Sequence, residues 1–358
     1  MRVVHVVSGD LWAGAAVATF HLLLGLREAG ADARAIVLAR GELADRLEHA
    51  GLLAAVESER AQRFPSLARA VRGHAEKADL VHAHGYKEDV LAALSGRPWI
   101  ATQHGRPEPH RGFAHARFAA YDALDRCAQR RARRVVAVSR EIEAWLAARV
   151  GEQRVVHAWN GIADPAAGRA PAPWQERPRR IGVVARLHPV KGVDLAIRAI
   201  AWMPDVELDV VGDGPARARL ESLARRVAPG RVRFVGFDPD PGAHLGGWRL
   251  LLVPSLHEGN PIAVLEAMAF GTPVVAGPLP GVDETLGGCG GLLLPDRDPD
   301  GWAAAIDAAL ADVEWGARAS LAARARFEAC FTARAAAQRM LGIYGDALAV
   351  RATARRAP

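Results

Sequence analysis

Short apolar runs alternate with longer amphipathic stretches along nearly the whole chain, and this alternation restricts the fold more than any single motif does. Residues 3–7 form an apolar run, residues 15–29 carry a helical pattern, and residues 33–38 are again strand-like. Residues 79–84 and 98–102 read as buried strands with a helical stretch at 87–94 between them; a long helical pattern covers 113–131, and 134–138 is another strand. Strand, helix and strand with short joints is the pattern of a parallel sheet with right-handed crossovers. The pattern breaks once, at residues 164–178, where four prolines, one glycine and little periodicity predict an interdomain linker. It then restarts, with strands at 181–185, 206–211, 232–235, 250–253 and 273–276 and helices opening near Val193, Pro215 and Pro261.

The expected organisation is therefore α/β, with two doubly wound, Rossmann-like domains. These are an N-terminal domain over 1–163, the linker over 164–178, and a second domain over 179–330. A C-terminal helix follows at 331–350, and a frayed basic tail at 351–358. Such sheets bind ligands at the carboxyl ends of their strands, so two domains facing each other would set a site in the cleft between them.

Composition closes off several other classes. Half of the residues are hydrophobic and 24% are charged, enough to bury a core and unlike a disordered or fibrous chain. Cys127, Cys289 and Cys330 are far apart and form no Cys-x-x-Cys, which argues against a disulfide framework or a thiolate zinc site and points to a reducing compartment. No apolar run reaches membrane-spanning length. His5 and Asp10 interrupt the N-terminal run, which reads as a first strand and not as a signal peptide. The net charge is +6, but of 46 basic residues only Lys77, Lys87 and Lys191 are lysine. With the abundant alanine, that bias reflects a GC-rich coding sequence more than a nucleic-acid partner. Basic charge is concentrated between Arg106 and Arg134, where eight arginines face Glu108, Asp122 and Asp125, and such a patch favours an anionic partner.

Two segments carry candidate chemistry. In the stretch from Pro254 to Ala276 a strand ends near Ser255, Glu258 and Gly259 lie in the joint, and Asn260 and Pro261 suit the N-cap and first turn of a helix that stops at Gly271. The free N–H groups of that helix start can receive an anion, Glu258 sits beside them, and Glu266 lies within the helix among apolar residues. A buried Glu266 needs a partner such as a sugar or ribose hydroxyl; the alternative is a solvated carboxylate on the outer face. In the second segment Arg186 directly follows a strand and Lys191 comes five residues later, at a helix start. Two cations at a strand's carboxyl end suit a diphosphate, or are simply solvated loop charges.

Taken together, Glu258-Gly-Asn-Pro-Ile…Glu266-Ala-Met-Ala-Phe-Gly-Thr-Pro-Val-Val and Arg186-Leu-His-Pro-Val-Lys191-Gly resemble the donor-site motifs of retaining GT-B glycosyltransferases of family 4. The segments Asp79-Leu-Val-His-Ala-His-Gly, Thr102-Gln-His-Gly, Val138-Ser-Arg and Trp159-Asn-Gly-Ile-Ala are similar to landmarks of that family's N-terminal domain, in the expected order. Phe331…Tyr344 resembles its C-terminal helices, the last of which crosses back to the N-terminal domain.

The resemblance implies that Arg186 and Lys191 bind the donor diphosphate and stabilise the leaving nucleotide. It implies that Glu258 contacts the donor sugar, that backbone groups of Gly259, Asn260, Pro261 and Ile262 hold sugar and phosphate, and that Glu266 binds the ribose. His104 matches a histidine near the donor sugar, and Gly14 a loop glycine that approaches the donor phosphates or the acceptor. The first loop departs from the family in Ala13, which replaces a second glycine, and in Ala16, where an acid is common. Asn260 stands where many members have an aromatic or aliphatic residue, which makes the donor pocket more polar.

The implied activity is metal-independent, retaining transfer of a sugar from a nucleotide-sugar donor to a saccharide or lipid-linked acceptor hydroxyl, with no cofactor, in cell-surface polysaccharide or glycolipid assembly. Domain closure would assemble the site. The implied setting is the cytoplasm, with the 106–134 patch available to seat the protein on the inner face of the membrane.

Other readings fit less well. A two-carboxylate hydrolase would need Glu258 and Glu266 facing each other across a bond. A metal-dependent GT-A enzyme would need an Asp-x-Asp, and Asp238-Pro-Asp and Asp298-Pro-Asp read as turns. His82-x-His84 is a candidate metal pair without an evident third ligand. The first loop does not match Gly-x-Gly-x-x-Gly. A sugar-nucleotide epimerase of the same fold and a non-catalytic nucleotide-sugar-binding protein remain the alternatives.

Overall fold

A computed structural model of the chain describes residues 1–106, 113–169 and 171–354, with side chains described throughout except at 113–118 and 350–354. It consists of two compact units, Met1–Ala163 together with the chain from Thr332 onward, and Asp164–Phe331.

The first unit is built on a seven-stranded parallel sheet. Its strands are β1 (Arg2–Val7), β2 (Asp32–Val37), β3 (Leu53–Val56), β4 (Leu80–His84), β5 (Trp99–Gln103), β6 (Val135–Ala137) and β7 (Val155–His157), in the spatial order β3-β2-β1-β4-β5-β6-β7. The order reverses between β1 and β4, where a crevice opens beyond the carboxyl ends of the strands. Alternation along β1 divides the core. Val3 and Val7 join the cluster built with Leu22, Leu23 and Leu26 of the helix Gly14–Glu28, whereas Val4 and Val6 join Leu67, Val71 and Leu91 on the other face. His5 therefore faces the same side as Val3 and Val7.

The C-terminal helix, Ala333–Ala354, covers that same face. It buries Ala337, Met340, Ile343, Tyr344 and Ala347, of which aliphatic side chains the size of Met340 and Ile343 are worth about 1.5–3 kcal/mol each. Its close approach requires Gly25, where a Cβ would lie 2.3 Å from the Ala333 carbonyl oxygen. The helix runs four residues into the stretch expected to fray.

The second unit has a six-stranded parallel sheet: β8 (Arg180–Val184), β9 (Glu207–Val211), β10 (Val232–Gly236), β11 (Leu250–Val253), β12 (Val274–Ala276) and β13 (Gly291–Leu293), in the order β10-β9-β8-β11-β12-β13. Its switch point lies between β8 and β11. Ile181, Val183, Leu208, Val210, Leu250 and Leu252 pack against Ile197 and Ile200 of the helix Val193–Ile200 and Trp302 and Ile306 of the helix Pro299–Ala311.

The Pro-rich segment expected as a linker is built into this unit. Trp174 is 2% exposed and donates to the Arg249 carbonyl at 2.8 Å. The buried Arg177 guanidinium donates to the carbonyls of Ala172, Trp248 and Phe270 and to Thr272 Oγ1, and burial pushes its pKa down to about 10. Asp164 is gripped by both Nη atoms of Arg324, at 2.8 and 2.6 Å. Proline and glycine correctly announce irregular backbone here, but the tryptophan and arginine tie it down. Among the described residues no helix is long and apolar enough to cross a membrane.

Candidate active site

The switch point of the second sheet gathers most of the expected donor residues. Arg186 is exposed two residues beyond the end of β8. Its backbone neighbours are clamped to the turn after β9: Ala185 N–H donates to the Val211 carbonyl and Leu187 N–H to that of Asp213. A Cβ on Gly212 would meet the Ala185 carbonyl oxygen at 2.0 Å, so only glycine permits this contact. The chain then makes a 3-10 turn at Pro189–Lys191, and Gly192, at φ +61°, starts the helix Val193–Ile200. Gly192 is pressed against the end of β11, where a Cβ would lie 2.1 Å from the Pro254 carbonyl oxygen.

Close packing of these two loops joins their charges. Lys191 Nζ lies 2.7 Å from Glu258 Oε1, which also accepts from Ser255 Oγ at 2.7 Å. Arg297 Nη1 donates to the carbonyls of Pro254 and Ser255 at 2.6 and 3.0 Å and fixes the strand end beneath them. The Lys191 and Glu258 side chains keep 25% and 13% exposure, so their pairing is worth only about 1 kcal/mol and leaves both groups able to turn to a ligand. With Arg186 alongside, cations outnumber carboxylates, which suits an incoming diphosphate.

Asn260 is placed differently from its expected N-cap role. Pro261 holds the N-cap position in extended backbone and the helix begins at Ile262, ending at Ala269 before Gly271 at φ +59°. The buried Asn260 amide donates to Thr285 Oγ1 at 2.9 Å, and that hydroxyl donates to the Gly281 carbonyl. Asn260 thus braces the 258–261 loop against the helix Pro280–Leu286. The fit is tight, for a Cβ on Gly281 would lie 1.8 Å from the Gly259 carbonyl oxygen.

Glu266 is partly buried one turn further on, with no hydrogen bond to its carboxylate among the described residues. Burial, reinforced by Asp240 and Asp238, pushes its pKa up to about 8. The side chain thus stands between the two expectations, partly exposed yet in a setting that disfavours its anion. Asp238 and Asp240 lie in the loop after β10, and Asp298 caps the helix Pro299–Ala311 by accepting from Gly301 N–H. Asp238 Oδ1 accepts from Asp240 N–H at 2.9 Å, which makes that Asp-Pro-Asp an Asx turn.

In the first unit, His104 follows β5, with its Nε2 3.1 Å from His84 Nδ1 and its own Nδ1 buried without a partner among the described residues. Burial lowers its pKa to about 4, so the ring is neutral. Gly14 has φ +34° and nothing within 4 Å of a would-be Cβ, which leaves open space at the start of its helix. His82 and His84 are both buried on the same side of β4, and the third histidine absent from the local sequence pattern is His5, paired with His82 across the β1–β4 register. In the basic patch, Arg106 pairs with Glu141, and Arg126, Arg130 and Arg131 are exposed. Glu108, Arg111 and the side chain of Arg117 lie outside the described residues.

Two family descriptions match the chain. "Glycosyltransferase Family 4" matches residues 12–164, and "Glycosyl transferases group 1" matches residues 178–312. The chain belongs to the group 1 glycosyltransferase family. It is similar to the 2-deoxystreptamine glucosyltransferase of Streptomyces kanamyceticus, 33% identical over 55% of this chain and 57% of that one. It is also similar to the D-inositol 3-phosphate glycosyltransferase of Mycobacterium marinum, 35% identical over 41% of this chain and 34% of that one. The matched segments thus span between a third and somewhat over half of these relatives' own length. The fold is that of Anabaena HepE, solved in complex with UDP. The TM-score is 0.81 at 21% identity, covering 96% of this chain and 100% of HepE.

Within this group 1 framework, several supporting residues carry no motif of their own. Ser255 and Arg297 hold Glu258 and its strand end, Gly212 and Gly281 permit backbone contact, and Asp238 and Asp240 face Glu266. His188, between Arg186 and Lys191, has a buried Nδ1 without a partner. The positive φ values of Gly192 and Gly212 are the only part of this set that glycine placement in the sequence could have suggested.

Proposed function

We propose that the protein is a retaining glycosyltransferase that moves a sugar from a nucleoside diphosphate sugar to an acceptor hydroxyl, without a metal ion. The observation that carries this reading is the pairing of Lys191 with Glu258, braced by Ser255, at the switch point of the second sheet, where Arg186 is exposed just beyond the end of β8. Arg186 would take the diphosphate as a fork and Lys191 as a point charge, doing electrostatically what a divalent ion does elsewhere. Glu258, oriented by Lys191 and Ser255, would accept from hydroxyls of the donor sugar and orient its anomeric carbon. As donor hydroxyls arrive, Lys191 can shift one of its three N–H groups from Glu258 to phosphate. Glu266 would accept from the ribose. A uridine nucleotide is the first donor to test, because HepE is described in complexes with UDP and with UDP-glucose. The acceptor is a saccharide or lipid-linked hydroxyl in cell-surface polysaccharide or glycolipid assembly. The names of the two relatives place an aminocyclitol and an inositol phosphate on the same acceptor panel.

The test is a thermal-shift panel of UDP, GDP, ADP and their sugar conjugates, run beside Lys191→Ala. A ligand at about 100 times its Kd adds about 2.7 kcal/mol of stability. One sugar nucleotide that stabilises the wild type but not Lys191→Ala supports the reading and names the donor; no response to any nucleotide overturns it. Turnover that survives EDTA supports the metal-independent part.

The reading extends to a peripheral seat on anionic membrane. The helix Phe113–Gln129 exposes Tyr121 and Leu124 beside Arg126, an apolar and cationic surface of the kind that enters a headgroup layer. Co-sedimentation that does not depend on anionic lipid removes this part alone.

A further inference from the structure

Behind His104 lies a continuous buried chain of hydrogen-bonding groups that the motifs do not explain. His104 Nε2 is 3.1 Å from His84 Nδ1, and His84 Nε2 is 2.9 Å from His5 Nδ1. His5 Nε2 is 3.3 Å from Tyr344 Oη, Tyr344 Oη is 2.8 Å from His82 Nδ1, and His82 Nε2 is 2.6 Å from Thr102 Oγ1. Four strand or strand-end positions and one residue of the returning C-terminal helix supply it. His5, His82 and Tyr344 are fully buried, and His84 and Thr102 nearly so.

The rings are neutral, since burial holds His5 near 3, His104 near 4 and both His82 and His84 well below the ordinary value. A neutral imidazole has one N–H and one lone pair, so fixing one ring fixes its neighbour. Only two unbroken polarities exist. If every donor points away from His104, Thr102 Oγ1 must accept, and its own hydroxyl hydrogen is then a buried donor with no second partner. If every donor points towards His104, Thr102 donates to His82, His82 to Tyr344, Tyr344 to His5, His5 to His84 and His84 to His104 Nε2. Every donor inside the chain is then used, and the one unspent N–H is His104 Nδ1, the atom buried without a partner. The first polarity leaves two buried groups unpaired among the described residues, the Thr102 hydroxyl hydrogen and the His104 Nδ1 lone pair, whereas the second leaves one, the His104 Nδ1–H; each costs about 1–3 kcal/mol, which selects the second polarity.

We propose that Thr102, His82, Tyr344, His5 and His84 are positioning residues that lock His104 in the Nδ1–H tautomer, the less common one for a free imidazole. In that tautomer the nitrogen of His104 left over for a ligand is a neutral N–H donor. The three rings of His5, His82 and His84 also bring one nitrogen each within 4.8 Å, as a cation site would. However, both nitrogens of His82 are already engaged by hydroxyls, and the 2.9 Å separation of His5 and His84 is that of a hydrogen bond. The tautomer lock follows from the hydrogen-bonded chain alone, whereas any effect on turnover rests on the function proposed above.

The experiment is 15N NMR of the full chain labelled at histidine, with His104→Asn used to assign the His104 signals. The lock predicts protonated Nδ1 and unprotonated Nε2 at His104 in the wild type, with no ligand present. Tyr344→Phe removes one oxygen and cuts the chain, and should convert His104 to a mixture of tautomers in a protein that still unfolds cooperatively. An Nε2–H signal at His104 in the wild type overturns the proposal, even if Tyr344→Phe fails to fold. So does a Tyr344→Phe spectrum that keeps pure Nδ1–H, or a joint shift of the His5, His82 and His84 signals on adding Zn²⁺ or EDTA. If the tautomer is as stated and the protein transfers sugar, Tyr344→Phe lowers kcat/KM for the donor about tenfold and leaves the free nucleotide's Kd unchanged. If the tautomer is as stated but no sugar is transferred, the lock stands and only the transferase reading fails.

Discussion

Glu266→Gln should make the unliganded protein more stable at pH 8 and change little at pH 4.5. In the unfolded chain this carboxyl titrates at its ordinary value of 4.5, and in the folded chain at about 8, because burial penalises the anion and Asp240 and Asp238 repel it. A raised acid binds its proton more tightly when folded. Its contribution is therefore intact below 4.5 and lost progressively as pH climbs towards 8, where the unfolded chain has ionised and the folded one resists. Each unit of difference is worth about 1.4 kcal/mol, so the window up to neutral pH amounts to about 3 kcal/mol. Partial exposure of the side chain reduces that to about 1–3 kcal/mol, or several degrees in melting temperature. Glutamine fills the same volume and does not titrate. The assay is urea unfolding of wild type and variant at pH 4.5, 6, 7 and 8, followed by tryptophan fluorescence, with Trp174, Trp248 and Trp302 buried in the second unit. A gap between variant and wild type that opens with pH supports the argument. A constant gap, or a variant less stable at pH 8, refutes it.

Three further outcomes follow from the same geometry. Gly281→Ala should cost about 3 kcal/mol, because its Cβ would press on the Gly259 carbonyl from 1.8 Å with backbone on both sides; a urea midpoint close to wild type would show that the loop yields freely. Glu258→Ala should lower turnover by ~10²-fold or more while the nucleotide Kd changes only a few-fold, and near-wild-type turnover would remove Glu258 from the site. Asp89 and Asp125 form a buried acid pair: Asp89 is held well above the ordinary range chiefly by burial and then by Asp125, while Asp125 is raised by burial and drawn back down by its hydrogen bond with Asp89 and by Arg149. Stability from this pair is full below about pH 4 and declines as pH rises. Asp89→Asn should flatten that decline in a pH series of melting temperatures, and an unchanged slope would count against a shared proton.

How much of this was legible in the sequence depends on how local each cause is. The strands near residues 3–7, 79–84, 181–185 and 250–253 are apolar runs that any parallel sheet would bury, and they appear within a residue or two of their expected bounds. The helix Glu42–His49 and strands β3 and β7 are short or half-exposed and carry no such signal. Lys191 and Glu258 stand in two motifs far apart in the sequence. Their pairing depends on loops brought together by the reversal of strand order between β8 and β11, which no window of sequence contains. Asn260 has a good capping side chain, but extended backbone at Pro261 passes the cap one residue on and frees the amide for Thr285. Trp174 and Arg177 hide in a stretch whose prolines dominate its composition, and their burial is decided by Trp248, Arg249 and Thr272 far along the chain.

The return of the chain from Thr332 onward to the first unit sets an order on biosynthesis. A ribosome releases the whole of Asp164–Phe331 before Ala337, Met340 and Tyr344 are available to complete the core of the unit begun at Met1. The second unit can therefore be finished while the first still shows the apolar face of Val3, Val7 and Leu22 to solvent or to chaperones. Tyr344 is the central link between His5 and His82. A chain that stalls or is clipped after Phe331 would therefore carry a complete second unit and an unfinished histidine chain in the first.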